Sequence, residues 1–167
     1  EVKDLGRRIR GFDEIERNKN KYHIVLCGNY HKFNQNIELK EFLINTNERI
    51  LVEASPVDKI WGIGLAQDNP NAEIPSLWEG SNLLGFALME TRDLLIELAS
   101  TEIINPILPP WKKHPELDRY SIGWRMGYGE EHFDNVLKYF KELDDKQMKL
   151  YELTFPALGD WFNWYNE

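Results

Sequence analysis

The chain has 167 residues, of which 42% are hydrophobic and 13% aromatic, and its formal net charge at pH 7 is −8. This length favours a single domain or a domain with an appendage, and the hydrophobic content excludes an intrinsically disordered chain. The acidic balance argues against a broad electrostatic surface for nucleic acid, although it is compatible with a small nucleotide or a single flipped base.

Cysteine content and hydropathy indicate the cellular compartment in which the protein is expected. Cys27 is the one cysteine of the sequence, so the chain cannot form an internal disulfide, which fits a reducing cytosol. No apolar run approaches the roughly 18 residues that span a bilayer, and the start carries no signal-peptide pattern. We therefore predict a cytoplasmic protein that does not contact a membrane.

The first clear helix is predicted from Asn20, because apolar residues recur from there at intervals of three and four. They form one stripe, which consists of Tyr22, Val25, Leu26, Tyr30 and Phe33. His23, Cys27 and His31 follow one another at four-residue spacing along another line of this helix, and such spacing could hold a metal. Since no acidic residue completes a tetrahedral set nearby, we predict no metal site.

A second helix and a strand follow. Asn36 is a candidate N-cap, and the inner face of the second helix carries Leu39, Phe42 and Leu43. Residues 49–53 are a short, largely apolar run that ends in a carboxylate, which predicts a buried strand. The proline shortly after this run ends the strand, because proline cannot donate to a ladder.

A loop rich in acids, rings and glycines comes next. Glu53 stands at the tip of the predicted strand, and Asp58, Trp61, Gly62 and Gly64 follow within eleven residues. Glycine lets the backbone approach a ligand closely, and an indole offers a flat face on which a base or a ring can stack. These residues predict a small-molecule site, and the alternative is an acidic loop that contains a core tryptophan.

The longest apolar stripe predicts a helix from about residue 83, with Ser81 or Asn82 as its N-cap. The stripe consists of Leu83, Leu84, Ala87, Leu88, Leu94, Leu95 and Leu98. Free N–H groups at a helix start attract phosphate, and here they follow a Gly-Ser-Asn turn. Gly85 lies in the first turn, where glycine is costly, and so indicates close packing or close approach of a ligand.

Composition shifts near residue 100, where a proline-rich connection begins. Two short helices are predicted beyond it, at roughly 132–143 and 146–155. The chain then ends in an aromatic cluster that includes Trp161, Trp164 and Tyr165. These rings either pack the tail onto the main domain or stay exposed as the hot spots of an interaction protein, and their burial distinguishes the two interpretations.

Three segments in register resemble the NADAR family, also called YbiA-like. They are KFNQN at 32–36 with Glu38 and Leu39, LVEASPVDKIWGIG at 51–64, and WEGSNLLGFALMETR at 78–92. The resemblance covers about residues 1–98. It implies a compact, helix-rich α+β domain with a small sheet over residues 1–100, and a small, mostly helical, aromatic-rich C-terminal extension over residues 101–167.

The resemblance also implies an enzyme that cleaves N-glycosidic bonds between ribose and a base or amine, without a metal or organic cofactor. One branch of the family removes phosphoribosyl-aminopyrimidine intermediates of riboflavin synthesis. Another removes ADP-ribose from guanine bases, often beside an ADP-ribosyltransferase toxin. The implied ligands are thus ADP-ribose, a phosphoribosyl-type small molecule, or ADP-ribosylated guanine in nucleic acid. The alternative from another class is a module that binds ADP-ribose or a nucleotide without turnover.

Carried over to this sequence, the family pattern assigns roles to residues of the two longer segments. Asp58 is expected to polarise the ribose or its attacking water, and Glu53 to hold or tune the site. Trp61 is expected to stack on the base or sugar, and Arg92 to brace one of the two carboxylates. The expected ligand-binding residues are Ser55, Trp61, Gly62, Gly64, Asn82 and Gly85, with phosphate at the turn before the helix.

The family pattern begins with a further segment, roughly Glu-His-Tyr followed by Lys-Phe, which supplies an essential glutamate and an essential lysine. The sequence starts at Glu1 without this segment. We therefore expect an N-terminally truncated chain, in which the missing pair is supplied upstream or by another chain.

Overall fold

The computed structural model describes residues 14–166, and the regular elements in this range are helical. The α-helices are α1 (Glu14–Asn34), α2 (Ile37–Ile44), α3 (Leu83–Glu97), α4 (Pro110–Lys113), α5 (Gly123–Met126), α6 (Glu130–Phe140) and α7 (Asp145–Thr154). Short 3-10 helices lie at Pro75–Leu77, Gly159–Trp161 and Trp164–Asn166. None of these helices is both long and apolar enough to cross a membrane.

The predicted α+β class with a small sheet is wrong for residues 14–166, which contain no β-strand. The stretch at 49–53 therefore has no partner strand in the described chain, and several of its backbone groups bond to side chains instead. Asn82 Nδ2 donates to the carbonyl of Leu51 at 2.9 Å, and Asn82 Oδ1 accepts from the N–H of Glu53 at 3.1 Å. A single amide side chain thus satisfies backbone groups that a neighbouring strand satisfies in a sheet.

The main core lies where α1, α2 and α3 pack together. Its buried residues are Leu26, Cys27, Tyr30, Phe33, Leu43, Leu94, Leu95, Leu98 and Leu153. This set includes Leu26, Tyr30 and Phe33 of the stripe predicted on α1 and Leu94, Leu95 and Leu98 of the stripe predicted on α3. Phe42 was predicted on the inner face of α2 and is instead 71% exposed. Leu43 occupies the core there, and its neighbour on a helix points about 100° away.

A second core is built from the aromatic C-terminal residues. Trp124, Ala157 and Trp161 are buried in it, and Trp111, Leu117, Phe133, Trp164 and Tyr165 pack against them. Trp161 is 8% exposed, and the hydroxyl of Tyr165 donates to the carbonyl of Phe155 at 2.6 Å. The aromatic tail therefore packs the end of the chain, and the interpretation of Trp161, Trp164 and Tyr165 as exposed hot spots is wrong.

The C-terminal helices also contact the main core. Helices α6 and α7 confirm the two short helices predicted there, and Asp144 and Gln147 form a reciprocal capping box at the start of α7. Leu153 of α7 joins the main core, and His31 Nε2 donates to the carbonyl of Leu153 at 2.8 Å. The boundary near residue 100 stays a prediction.

Candidate functional site

A cleft of about 600 Å³ lies beside the loop that the sequence singles out. It is lined by Ile50, Val52, Glu53, Ala54, Gln67, Ala72, Glu73, Pro75 and Trp78. Two stretches of chain supply this lining, residues 50–54 and residues 67–78. The volume is in the range of cavities that bind small molecules, and the lining combines apolar groups with a few polar ones, as such sites do.

Residues 50–54 are fixed by side chains of α3. Besides the two hydrogen bonds of Asn82, the buried guanidinium of Arg92 donates through Nη1 to the carbonyl of Arg49 at 3.0 Å and to Thr46 Oγ1 at 3.1 Å. The expectation that Arg92 braces Glu53 or Asp58 is therefore wrong. Arg92 holds the beginning of the stretch and Asn82 holds its end.

Glu53 combines a fixed backbone with an exposed side chain. Its N–H donates to Asn82, and its carbonyl accepts from Ile63 N and from Ser55 N, each at 3.0 Å. Its carboxylate lines the cleft, and within residues 14–166 it forms no hydrogen bond or ion pair. The fold thus brings a carboxylate to the cleft and leaves its oxygens available to a ligand.

Residues 67–78 form a loop that is held by its own hydrogen bonds. The N–H groups of Ala72, Ile74 and Leu77 donate to carbonyls three residues earlier in the chain. The indole of Trp78 is half-buried, and its Nε1 donates to the carbonyl of Ala72 at 2.8 Å. This bond fixes one edge of a flat aromatic surface that lines the cleft.

Asp58 has a structural role in the neighbouring loop. Its Oδ1 accepts from the N–H of Ile60 at 2.9 Å and from the N–H of Trp61 at 2.8 Å. These bonds to the ionised form lower the pKa of Asp58, mainly through Trp61 and then Ile60. The carboxylate stays charged and organises the turn, and it does not line the cleft.

Trp61 and Gly62 serve this loop through their backbones. The carbonyl of Trp61 accepts from Leu84 N at 3.1 Å, and the carbonyl of Gly62 accepts from Asn82 N at 3.0 Å. A Cβ on Gly62 meets the carbonyls of Asp58 and Glu53 at 2.8 Å, below any real contact distance. Neither Trp61 nor Gly62 lines the cleft. The absence of a side chain at Gly62 thus allows the segments that contain Glu53 and Asp58 to pack closely, and it does not serve the approach of a ligand.

Other expected ligand-binding residues are buried in the same junction. Gly64 is buried with φ at +73°, a left-handed conformation that favours glycine. Asn82 is 0% exposed, and the backbone of Gly85 is buried against the carbonyl of Leu51. Ser55 is half-buried and donates its N–H to Glu53. None of these four residues lines the cleft, and Gly85 instead lines a separate, smaller cavity.

At the start of α3, the N–H groups of residues 81–84 are bonded to carbonyls of the preceding loop, whereas the sequence predicted that they are free for phosphate. Ser81 N donates to the carbonyl of Lys59 at 2.9 Å, and Leu83 N donates to the carbonyl of Ile60 at 3.2 Å. Asn82 N and Leu84 N also bond to carbonyls of this loop. Asn82 occupies the N-cap position as predicted, but its side chain makes no capping bond, because it is turned to residues 51 and 53.

The line of histidines and cysteine on α1 has local partners. Cys27 Sγ lies 3.6 Å from His23 Nε2, while His31 bonds to Leu153 on another element. Burial raises the pKa of the Cys27 thiol to about 11, so the thiol is protonated at neutral pH. In the range 14–166, no three or more His, Cys, Asp or Glu side chains are grouped to hold a metal.

Sequence reasoning found Glu53 but missed the other polar and aromatic residues of the cleft. Trp78 lies inside one of the segments that carry the family resemblance, so an aromatic at the edge of that segment could have been recognised. Gln67 and Glu73 lie in a polar loop without periodicity, and no signal in the sequence distinguishes them from solvent-exposed residues.

Comparisons with known proteins agree on the first part of the chain. The sequence model of the family described as NADAR domain matches residues 1–96. A protein named as an N-glycosidase from Acanthamoeba polyphaga mimivirus is 46% identical over 92 residues, which are 55% of this chain and 54% of that protein. The protein irg-1 of Caenorhabditis elegans is 47% identical over 64 residues, 38% of this chain and 30% of that protein. The chain thus spans about half or less of these curated relatives. No solved structure matches it.

Proposed function

Because the chain belongs to the NADAR domain family, we propose that it hydrolyses an N-glycosidic bond between ribose and a nitrogen base. The observation that carries this proposal is that the side chains of Glu53 and Trp78 line the same cleft, where the carboxylate has no partner within residues 14–166 and the indole is fixed by its hydrogen bond. The name of the mimivirus relative, an N-glycosidase, supports the same reaction class.

Glu53 is suited to the sugar side of this reaction. Breaking a ribosyl C–N bond builds positive charge on the sugar, and a carboxylate beside it stabilises that charge or accepts a proton from the attacking water. The backbone of Glu53 is fixed by hydrogen bonds to Asn82, Ser55 and Ile63, so the side chain starts from a defined position beside the cleft. We assign the catalytic carboxylate to Glu53.

Asp58 then acts as a positioning residue in this proposal. One of its oxygens is engaged by two backbone N–H groups, and these bonds define the turn that leads to Gly62 and Ile63. Ile63 in turn donates to the carbonyl of Glu53. Direct catalysis by Asp58 stays a prediction, which the geometry supports less well than a role for Glu53.

The charge of the residues that line the cleft indicates which part of a nucleotide binds there. Among the described residues that line it are two glutamates and no lysine or arginine. A phosphate or diphosphate is repelled by this lining, whereas a base and its ribose are not. We propose that the cleft holds the base and ribose and that phosphates lie outside it. ADP-ribosylated guanine and a phosphoribosyl-aminopyrimidine are both substrates of this kind.

The test is a chromatographic assay on those two substrates. The chain is compared with Glu53→Gln and with Glu48→Gln, a control that removes the same charge from an exposed residue outside the cleft. Release of base by the chain and by the Glu48 variant, with a loss of at least about 100-fold for Glu53→Gln, supports the proposal. Full activity of Glu53→Gln contradicts the assigned role.

The same assay separates the enzyme from its alternative, a module that binds without turnover. If no variant releases base while ADP-ribose still raises the unfolding temperature of the chain, binding without catalysis is the better interpretation. Both arms are run on the same preparation, so a misfolded sample is recognised by its unfolding transition.

A further inference from the structure

The loop 67–78 contributes polar and aromatic side chains to the lining of the cleft, in addition to Glu53 from residues 50–54. Gln67, Glu73 and Trp78 come from it, together with Ala72 and Pro75. The backbone N–H groups of residues 69, 72, 74, 77 and 78 donate to carbonyls within the loop or to that of Ala66 beside it. The loop is therefore a self-contained unit that presents its side chains to the cleft independently of Glu53.

Glu73 and Trp78 are held in a fixed relation within this loop. The carbonyl that accepts the indole N–H of Trp78 belongs to Ala72, the residue directly before Glu73. The aromatic ring and the carboxylate therefore originate from one short, hydrogen-bonded piece of chain, and both line the same volume.

The carboxylate of Glu73 is available to a ligand. It is exposed, and within residues 14–166 it forms no hydrogen bond or ion pair. An ionised carboxylate is an acceptor with two parallel oxygens, so its best partner is a group with two adjacent N–H donors. An aromatic face beside it selects a flat ring, because stacking requires one.

We propose that Glu73 determines substrate specificity by binding the leaving base through a ring N–H and an adjacent amino group, while Trp78 stacks on the ring. This inference rests on the proposed function and assigns recognition of the base to Glu73. Guanine and 2-aminopyrimidin-4-ones present such an edge. Adenine and cytosine present an acceptor beside their amino group, and hypoxanthine lacks the amino group altogether.

The two glutamates of the cleft thereby have separate tasks. Glu53 belongs to the stretch that is bonded to α3, and it acts on the sugar. Glu73 belongs to the loop, and it holds the base. Loss of Glu73 is therefore expected to weaken binding of the base and to leave the chemical step of a bound substrate largely intact.

The experiment measures equilibrium binding of guanosine and inosine, which differ by the amino group, to the unmodified chain, to Glu73→Gln and to Asp68→Asn. Asp68 is an exposed carboxylate of the same loop that does not line the cleft, so its variant is the matched control. We expect the chain and the control to prefer guanosine by about 10- to 100-fold, the usual value of a hydrogen bond to a charged group. We expect Glu73→Gln to lose this preference.

A second readout uses turnover of ADP-ribosylated guanine. Glu73→Gln should raise KM about 10-fold or more and leave kcat within a few-fold. A guanosine preference that depends on Glu73 in a chain without turnover supports this inference and contradicts the proposed hydrolysis. Turnover with no guanosine preference, or a preference retained by Glu73→Gln, overturns this inference and leaves the proposed hydrolysis standing.

Discussion

The side-chain oxygen of Asn82 accepts a hydrogen bond from the backbone N–H of Glu53 at 3.1 Å, although the two residues are 29 positions apart. The amide nitrogen of Asn82 donates to the carbonyl of Leu51 at the same time. The position of the proposed catalytic carboxylate is thus set by a buried amide at the start of α3. Both polar ends of that amide are used, and it has no contact with solvent.

Asn82→Asp tests this relationship. Aspartate has the same size and tolerates the left-handed backbone of residue 82 (φ +49°), so the change acts mainly on the hydrogen bonds. An oxygen then faces the carbonyl of Leu51 in a buried site, and we expect a loss of about 2 kcal/mol or more of unfolding free energy. The measurement is denaturant unfolding. The exposed Asn135→Asp on α6 is the control and should change little; equal stability of both variants contradicts the role of Asn82.

Replacing glycine by alanine is expected to change the unfolding free energy in opposite directions at Gly28 and Gly85. In α3, a Cβ on Gly85 collides with the carbonyl of Leu51 and the side chain of Asn82, whereas a Cβ on Gly28 of α1 meets nothing within 4 Å. We expect Gly28→Ala to stabilise the protein by up to about 1 kcal/mol through helix propensity. Gly85→Ala should destabilise the protein, because the collision of the new Cβ outweighs the same gain in helix propensity. Thermal or denaturant unfolding of the pair measures the difference, and stabilisation by both variants contradicts the tight junction between α3 and residue 51.

The helices could be predicted because their signal is local. Apolar residues at intervals of three and four in α1 and α3 indicate a buried helix face, and this pattern does not depend on which element the face contacts. The stretch at 49–53 was predicted as a strand because it is short and largely apolar, but a strand needs a partner at the right distance in space. Residues 49–53 bond instead to the side chains of Asn82 and Arg92 and to the N–H of Ile63, and interactions of this kind leave no periodic pattern.

The cleft was only partly predictable for a similar reason. Glu53 was recognised within a segment that carries the family resemblance, and it does line the cleft. Trp61, Gly62 and Gly85 lie in such segments too, but they serve close contacts between segments that are far apart in sequence. Glu73 lies between the motif segments, in a polar stretch without a periodic pattern, so its place in the cleft emerges only when the chain is folded.

The thiol of Cys27 should be unreactive in the folded protein. It is 4% exposed, and burial raises its pKa to about 11, so at pH 8 about one thiol in a thousand is ionised. We expect alkylation by iodoacetamide, followed by mass spectrometry, to be more than about 100-fold slower in the native chain than in denaturant. The thiol introduced by the exposed Ser100→Cys is the internal control. Equal labelling of both thiols in the native state contradicts the burial of Cys27.

The raised pKa of Cys27 also predicts a dependence of stability on alkaline pH. Because the folded pKa lies above the unfolded value of about 8.5, the thiol contributes stability that is fully present below about pH 8. This contribution is lost as the pH rises through the folded pKa of about 11. Comparison of the chain with Cys27→Ala in denaturant unfolding across this range measures it.

The carboxylate of Asp58 predicts the opposite dependence, at acid pH. The N–H groups of Trp61 and Ile60 bond to the ionised form and hold the folded pKa below the unfolded value of about 3.9. The stability that these bonds contribute is therefore present above about pH 4 and is lost as the pH falls through the lower, folded pKa.

Asp58→Asn tests this linkage, since asparagine keeps an acceptor for the turn and removes the charge. We expect the chain to be more stable than Asp58→Asn at pH 6, and the difference to shrink below pH 4 as Asp58 becomes protonated. The side chain is partly exposed, so the difference should be modest, below about 1 kcal/mol. Glu48→Gln, which removes an exposed charge outside this turn, is the control. A difference for Asp58→Asn that stays constant from pH 6 to pH 3 contradicts the charge-assisted turn and, with it, the indirect support that this turn gives to Glu53 through Ile63.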